Sequence, residues 1–113
     1  MNLVLEIYQI TKQFPKSEVY GLASQMQRAA ISIPSNIAEG HKRSHLPEYL
    51  QFLSIANGSG AELETQLEIC KRIPELNQYN YVKAEGLLEE IMKMFTVIIN
   101  KLTAKRYTLQ PKP

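Results

Sequence analysis

The sequence of 113 residues contains no aspartate, so each of its eleven acidic side chains is a glutamate. Glutamate favours helix interiors whereas aspartate favours turns and caps, and the composition therefore indicates an all-α protein. The length and a hydrophobic content of 44% predict one compact domain with a single core. We expect this domain to span residues 1–105 and residues 106–113 to form a flexible tail.

Cysteine is also scarce, since Cys70 is the only one in the sequence. A lone cysteine cannot form a disulfide within its own chain, which fits a reducing compartment. No apolar run approaches the roughly 18 residues that would indicate a membrane-spanning helix. The first residues, "MNLVLEIYQI", lack the basic lead and the cleavage site of a signal peptide. These features together predict a soluble cytoplasmic protein.

Apolar residues recur in alternating steps of three and four in four segments, which is the spacing of amphipathic helices. No segment shows the alternation of a strand. Joined by short connections, four such helices are expected to pack as an antiparallel up-down-up-down four-helix bundle. The stripes consist of Leu3, Ile7, Ile10 and Phe14; Leu22, Met26, Ala29, Ala30, Ile33 and Ile37; Tyr49, Leu53, Ala56, Gly60, Leu63, Leu67 and Cys70; and Tyr81, Ala84, Leu88, Ile91, Phe95, Ile98 and Leu102.

Three local features refine this prediction. Two glycines interrupt the third stripe between Ala56 and Glu64, but the stripe keeps its phase and two helical glycines cost only about 2 kcal/mol. We therefore expect one continuous third helix, whose small residues let another helix approach closely. Pro34 predicts a kink in the second helix, because it removes a backbone hydrogen bond and crowds the preceding turn. Asn77 is the predicted cap of the fourth helix.

Three blocks of sequence carry a family resemblance: "FPKSEVYGLASQM", "RAAISIPSNIAEG" and "EYLQFLSIANGSGAELETQLE". They resemble the 23S rRNA intervening-sequence proteins, and the resemblance extends over almost the whole chain. Members usually carry an aromatic-containing lead before the first helix, so we expect this chain to begin a few residues late. The family is named for where its genes lie, which is not a biochemical activity. Its motif here comprises Pro34, Ser35, Asn36, Glu39 and Gly40.

The resemblance implies an up-down-up-down bundle that assembles as a ring-shaped homo-pentamer. It also implies a distant relation to the accessory proteins of diversity-generating retroelements, which bind nucleic acid and a reverse transcriptase. It implies neither an enzyme nor a cofactor.

The motif region holds residue types that could perform catalysis, namely Ser32, Ser35, Asn36, Glu39 and His41. Neither serine lies in a Gly-x-Ser-x-Gly turn, so we favour a structural role. Asn36 is expected to hydrogen-bond the carbonyl that Pro34 frees, or a partner helix.

His41 and His45 have the spacing of two zinc ligands on one helical face. No third ligand is apparent, so no metal is expected.

Cations gather at one end of the predicted bundle, where the second helix ends, the third begins and the fourth ends. This basic pole is the predicted nucleic-acid-binding site, with RNA or single-stranded DNA as the ligand. Helix dipoles alone also favour cations at C-termini, so that alternative stays open. The pole comprises His41, Lys42, Arg43, His45, Lys101, Lys105 and Arg106, with Lys112 beyond them.

Two further groups of residues bear on function. Four tyrosines, Tyr8, Tyr20, Tyr79 and Tyr107, could stack on bases, although single tyrosines are more often packing residues. Apolar residues off the stripes favour self-assembly, because a helix that is apolar on more than one face needs a second partner. The alternative function is therefore a protein-interaction scaffold with no nucleic-acid role. The off-stripe apolar residues are Ile69, Leu87, Met94 and Ile99.

Overall fold

A computed structural model describes residues 1–18 and 21–109 of the chain. Within these two ranges the secondary structure is helical and contains no strand, which confirms the all-α class. None of the described helices combines the length and the apolarity needed to cross a membrane. A short 3-10 helix, Lys16–Glu18, follows the first of four α-helices: α1 (Asn2–Thr11), α2 (Leu22–His41), α3 (Leu46–Arg72) and α4 (Val82–Leu109).

The predicted stripes form the core of the protein. Each helix packs against two others, α1 and α3 both lying against α2 and α4. Nearly all stripe residues are buried or half-buried, and Ile98 is the exception because it remains exposed. The largest side chains with almost no exposed surface include Ile7, Met26, Leu53, Leu63, Leu67, Leu76 and Leu88.

Helices α2 and α3 contact each other along most of α2. Near the start of α2, the Met26 sulfur lies 3.5 Å from the Cys70 sulfur near the end of α3. In the middle of both helices, the Ser59 hydroxyl donates a hydrogen bond of 2.7 Å to the Ser32 hydroxyl. Residue numbers thus fall along α3 as they rise along α2.

Helices α3 and α4 show the same opposed numbering. Lys71, near the end of α3, pairs at 2.8 Å with Glu85 in the first turn of α4. Farther along, Gly60 lies against the side chain of Met92 so closely that an added Cβ would collide with the methionine sulfur. The segment from Ala56 to Glu64 is helical throughout, which confirms the prediction of one continuous third helix.

The start of α4 differs from the predicted one. The helix begins at Val82, so the prediction that Asn77 caps it is wrong. The Asn80 side-chain oxygen instead accepts a hydrogen bond of 3.0 Å from the Val82 backbone N–H at the start of the helix. Leu76 and Tyr81 are both buried, and the Tyr81 hydroxyl donates to the Leu76 carbonyl at 2.7 Å. These two anchored residues hold the turn before α4.

Two other features concern helix continuity. Helix α2 runs through Pro34 without ending there, and the kink at this residue stays a prediction. Helix α4 continues to Leu109, past residue 105 where the sequence placed the end of the bundle. Residues 110–113 lie outside the described residues.

Candidate nucleic-acid interface

The connection between α2 and α3 carries four of the predicted pole residues. Helix α2 ends at His41, and His45 occupies the N-cap position of α3. The two histidines therefore belong to different helices, and the prediction that they share one helical face is wrong. The His41 ring instead packs against the Tyr49 ring, with centroids 5.3 Å apart. Across the described part of the chain, no group of three potential metal-ligating side chains converges.

Arg43 is engaged by groups of its own chain. Its Nη2 donates a hydrogen bond of 2.8 Å to Glu39, and its Nε lies 4.0 Å from the Glu48 carboxylate. The guanidinium carbon also sits 5.0 Å from the centre of the Phe52 ring. Arg43 therefore contacts two carboxylates and an aromatic ring at the α2–α3 connection. It contributes less net positive charge to the pole than its position in the sequence implies.

The end of α4 lies beside the start of α3 and brings further cations to the connection. An open groove of about 750 Å³ separates the two helices. Glu48, which approaches Arg43, also lines this groove, so Arg106 and the α2–α3 connection share one neighbourhood. The groove is lined by Pro47, Glu48, Leu50, Gln51, Ser54, Ile99, Thr103, Arg106 and Tyr107.

The other cations of the pole are exposed, and none has a carboxylate of the described residues within ion-pairing distance. Lys42 caps the end of α2, while Lys101 and Lys105 lie one turn apart near the end of α4. Among ion pairs between described residues, none includes Lys42, Lys101, Lys105 or Arg106. Lys112 lies outside the described residues.

Cations at the other end of α3 are paired instead. The Glu85 carboxylate accepts a hydrogen bond from Lys71 and raises the pKa of that lysine. A hydrogen bond from Arg72 lowers the pKa of the Glu68 carboxyl. A groove of about 360 Å³ between α3 and α4 is rimmed by four glutamates, so charge is distributed unevenly along the molecule. They are Glu64, Glu68, Glu85 and Glu89.

Polar residues of the motif region form a hydrogen-bond network between helices. The Asn36 side-chain amide donates to the Ser32 carbonyl at 2.8 Å and to the Ser32 hydroxyl at 2.9 Å. The same Ser32 hydroxyl accepts from Ser59 on α3. Asn36 therefore bonds the Ser32 carbonyl rather than the one that Pro34 frees. Among the described residues, its hydrogen-bonded connection to α3 runs through the Ser32 hydroxyl. Ser35 is exposed.

Gly40 completes the motif by letting α2 approach α3. A Cβ at this position would lie 2.9 Å from a ring carbon of Tyr49 and 3.1 Å from Cβ of Phe52. Ordinary carbon contacts are about 3.5 to 4.0 Å, so a side chain cannot be placed there without displacing neighbours. Asn36, Glu39 and Gly40 therefore have contacts that a packing role explains, Glu39 through its pair with Arg43.

The tyrosines fall into different environments. Tyr79 donates its hydroxyl hydrogen to the Gln13 carbonyl at 2.7 Å and stacks on Phe14, with centroids 5.5 Å apart. Tyr8 is exposed on α1, Tyr20 lies outside the described residues, and Tyr107 is 70% exposed at the groove. Sequence reasoning missed the other polar groove residues. Gln51, Ser54 and Thr103 stand out only once the facing ends of α3 and α4 are known.

The family model described as 23S rRNA-intervening sequence protein matches residues 1–97. This range covers α1, α2, α3 and the first part of α4, and it ends before Lys101. No curated protein gives a significant match.

Proposed function

The chain belongs to the 23S rRNA-intervening sequence protein family, and from that premise we propose a non-enzymatic, homo-oligomeric bundle that binds RNA or single-stranded DNA through its basic pole. The opposed contacts of α2 with α3 and of α3 with α4 support an up-down-up-down arrangement. That arrangement gathers the pole from three helix ends. The proposal places the protein in the cytoplasm, where the buried thiol of Cys70 stays reduced.

The observation that carries the proposal is the meeting of the α4 end with the α2–α3 connection. Arg106 shares a groove with the first turn of α3, and the exposed lysines nearby have no carboxylate within pairing distance among the described residues. Exposed cations of this kind can neutralise phosphates and release counterions. Repeating the pole around an oligomer multiplies those contacts on one strand, which raises avidity.

The test is the salt dependence of binding to a dye-labelled single-stranded RNA. If four cations per protomer contact phosphates, the logarithm of the affinity falls against the logarithm of the salt concentration with a slope of about −3. A pole variant, Lys42→Gln with Lys101→Gln and Lys105→Gln, is expected to weaken binding and to make the slope shallower by roughly 2.

A matched control carries the same change in net charge away from the pole: Lys12→Gln with Lys83→Gln and Lys93→Gln. Lys83 and Lys93 already pair with Glu6 and Glu89, so this variant is expected to keep the wild-type slope. Equal weakening by both variants would show a general charge effect rather than a site. Binding that ignores salt would remove the electrostatic basis of the proposal.

Self-assembly forms the second part of the proposal, with a pentamer as the expected state. Met94 and Val97 on α4 are 56% and 63% exposed. Met94 also lines an apolar groove of about 400 Å³ with residues such as Ile37 and Phe95, and a second copy of the chain would cover this surface.

Sedimentation of Val97→Glu is expected to show smaller species than the wild type. Val82→Glu, at a residue 73% exposed at the start of α4, is the control. A wild-type monomer at micromolar concentration would contradict assembly.

The alternative is a protein-interaction scaffold with no nucleic-acid role, favoured by the same exposed apolar surface. An oligomer that assembles but binds no RNA at low salt would support it. In the preferred proposal the bundle acts as an accessory to another nucleic-acid-handling protein, in line with the distant relation to retroelement accessory proteins that the sequence resemblance implies.

A further inference from the structure

The groove between α3 and α4 has an aromatic side chain on its wall. Tyr107 is 70% exposed, although it lies beside Arg106 in a groove large enough for a small molecule. The ring therefore does not serve core packing. Its position distinguishes it from Tyr79 and Tyr81, whose hydroxyl groups donate to backbone carbonyls of the same chain.

We infer that this groove is a subsite for one unpaired base, which stacks on Tyr107 while Arg106 contacts the adjoining phosphate. The inference rests on the proposed function and extends it from phosphate binding to recognition of single strands. Arg106 and Tyr107 lie beyond the 1–97 range of the family match, whereas the groove residues from α3 lie within it.

The chemistry of the groove suits a base. An exposed aromatic ring offers a stacking surface to any base, and an arginine beside it supplies the charge that attracts the backbone. Gln51, Ser54 and Thr103 also line the groove and offer donors and acceptors to base edges. The Glu48 carboxylate acts only as a hydrogen-bond acceptor, so it suits a base that presents an exocyclic amino group.

A paired base cannot enter this site. Bases in a duplex are stacked on their neighbours, whereas bases in single strands can be splayed out onto aromatic side chains. The subsite therefore predicts discrimination between single and double strands, which exposed lysines alone do not provide.

The experiment compares a short single-stranded oligodeoxynucleotide with an abasic strand of the same length, both dye-labelled, and a duplex as a third ligand. We expect the intact strand to bind roughly 5- to 150-fold more tightly than the abasic strand, which keeps the phosphates but offers nothing to stack. Tyr107→Leu is expected to abolish this preference without changing the salt slope. Tyr107→Phe is expected to retain it.

Tyr8→Leu is the matched control, since Tyr8 is also an exposed tyrosine but lies on α1. Equal binding of intact and abasic strands by the wild type, or an unchanged preference in Tyr107→Leu, would overturn the subsite. If the subsite fails in this way but binding still falls steeply with salt, the proposed phosphate-binding pole remains supported. Failure of every strand to bind at low salt would overturn both.

Discussion

Substituting Gly40 by alanine tests the close approach of α2 and α3 at the motif. In an open helix, alanine is about 1 kcal/mol more favourable than glycine. Here the added Cβ would lie 2.9 Å from the Tyr49 ring and 3.1 Å from Cβ of Phe52. Neither atom is the free end of a flexible side chain, so the helices must separate or the ring must rotate. Overpacking of this kind costs about 1 to 3 kcal/mol.

The control is Gly58→Ala in the middle of α3, where a new Cβ would meet no atom within 4 Å. We expect Gly58→Ala to stabilise the protein by about 1 kcal/mol, and Gly40→Ala to be neutral or to destabilise it by up to about 2 kcal/mol. Urea unfolding followed by helical circular dichroism, at one fixed protein concentration, measures both. The concentration is held constant because assembly adds to apparent stability. Equal stabilisation by the two variants would refute the close packing at Gly40.

Three other predictions concern single polar or ionisable groups. Gln66 is 4% exposed, and its side-chain amide donates a hydrogen bond of 3.2 Å to Glu62 while its side-chain oxygen has no partner among the described residues. Gln66→Leu loses the first and removes the second, and it is expected to raise the free energy of unfolding by about 1 kcal/mol. A lower urea midpoint would contradict this, because loss of the hydrogen bond to Glu62 would then outweigh removal of the unpaired oxygen. Burial raises the pKa of the Cys70 thiol, so a disulfide reagent at mildly alkaline pH is expected to label it only after unfolding; rapid labelling of the folded protein would contradict this. The hydrogen bond from Arg72 lowers the pKa of Glu68 below its ordinary value of 4.5. The ionised Glu68 carboxylate therefore stabilises the folded protein above about pH 4.5, and this stabilisation is lost as the pH falls through the lowered pKa of the folded state. The Glu68→Gln variant should therefore lose less stability than the wild type on acidification. If both proteins lose stability equally as the pH falls, the ion pair does not contribute in this way.

The helical stripes could be predicted from sequence because burial follows the helical period. Each stripe holds its three-four spacing over several turns, and Gly60 does not interrupt it because α4 supplies Met92 against the small residue. The cap of α4 could not be predicted in this way. Asn77 and Asn80 both suit a cap, and the choice between them depends on the burial of Leu76 and Tyr81 in the assembled core.

The candidate site was predictable only as a collection of charges. Arg43 and Lys42 are neighbours in sequence, yet Arg43 lies between two carboxylates and over Phe52, whereas Lys42 has no ion pair among the described residues. The partners of Arg43 come from the last turns of α2, which supply Glu39, and from α3, which supplies Glu48 and Phe52. Spacing along the chain therefore could not show which cations remain available to a ligand.

The location of the family motif bears on where ligand specificity can reside. Asn36 hydrogen-bonds Ser32, the Ser32 hydroxyl also accepts from Ser59, and Gly40 packs against α3. Groups engaged in this way hold two helices together and have little left for a ligand. The end of α4 is different, because Arg106 and Tyr107 are exposed and lie outside the residues that the family match covers. Proteins that share the motif can therefore share the bundle while differing in what the end of the fourth helix binds. Exchanging residues 98–109 between two such proteins should transfer the preference for single strands, and a preference that stayed with the motif instead would place recognition on α2.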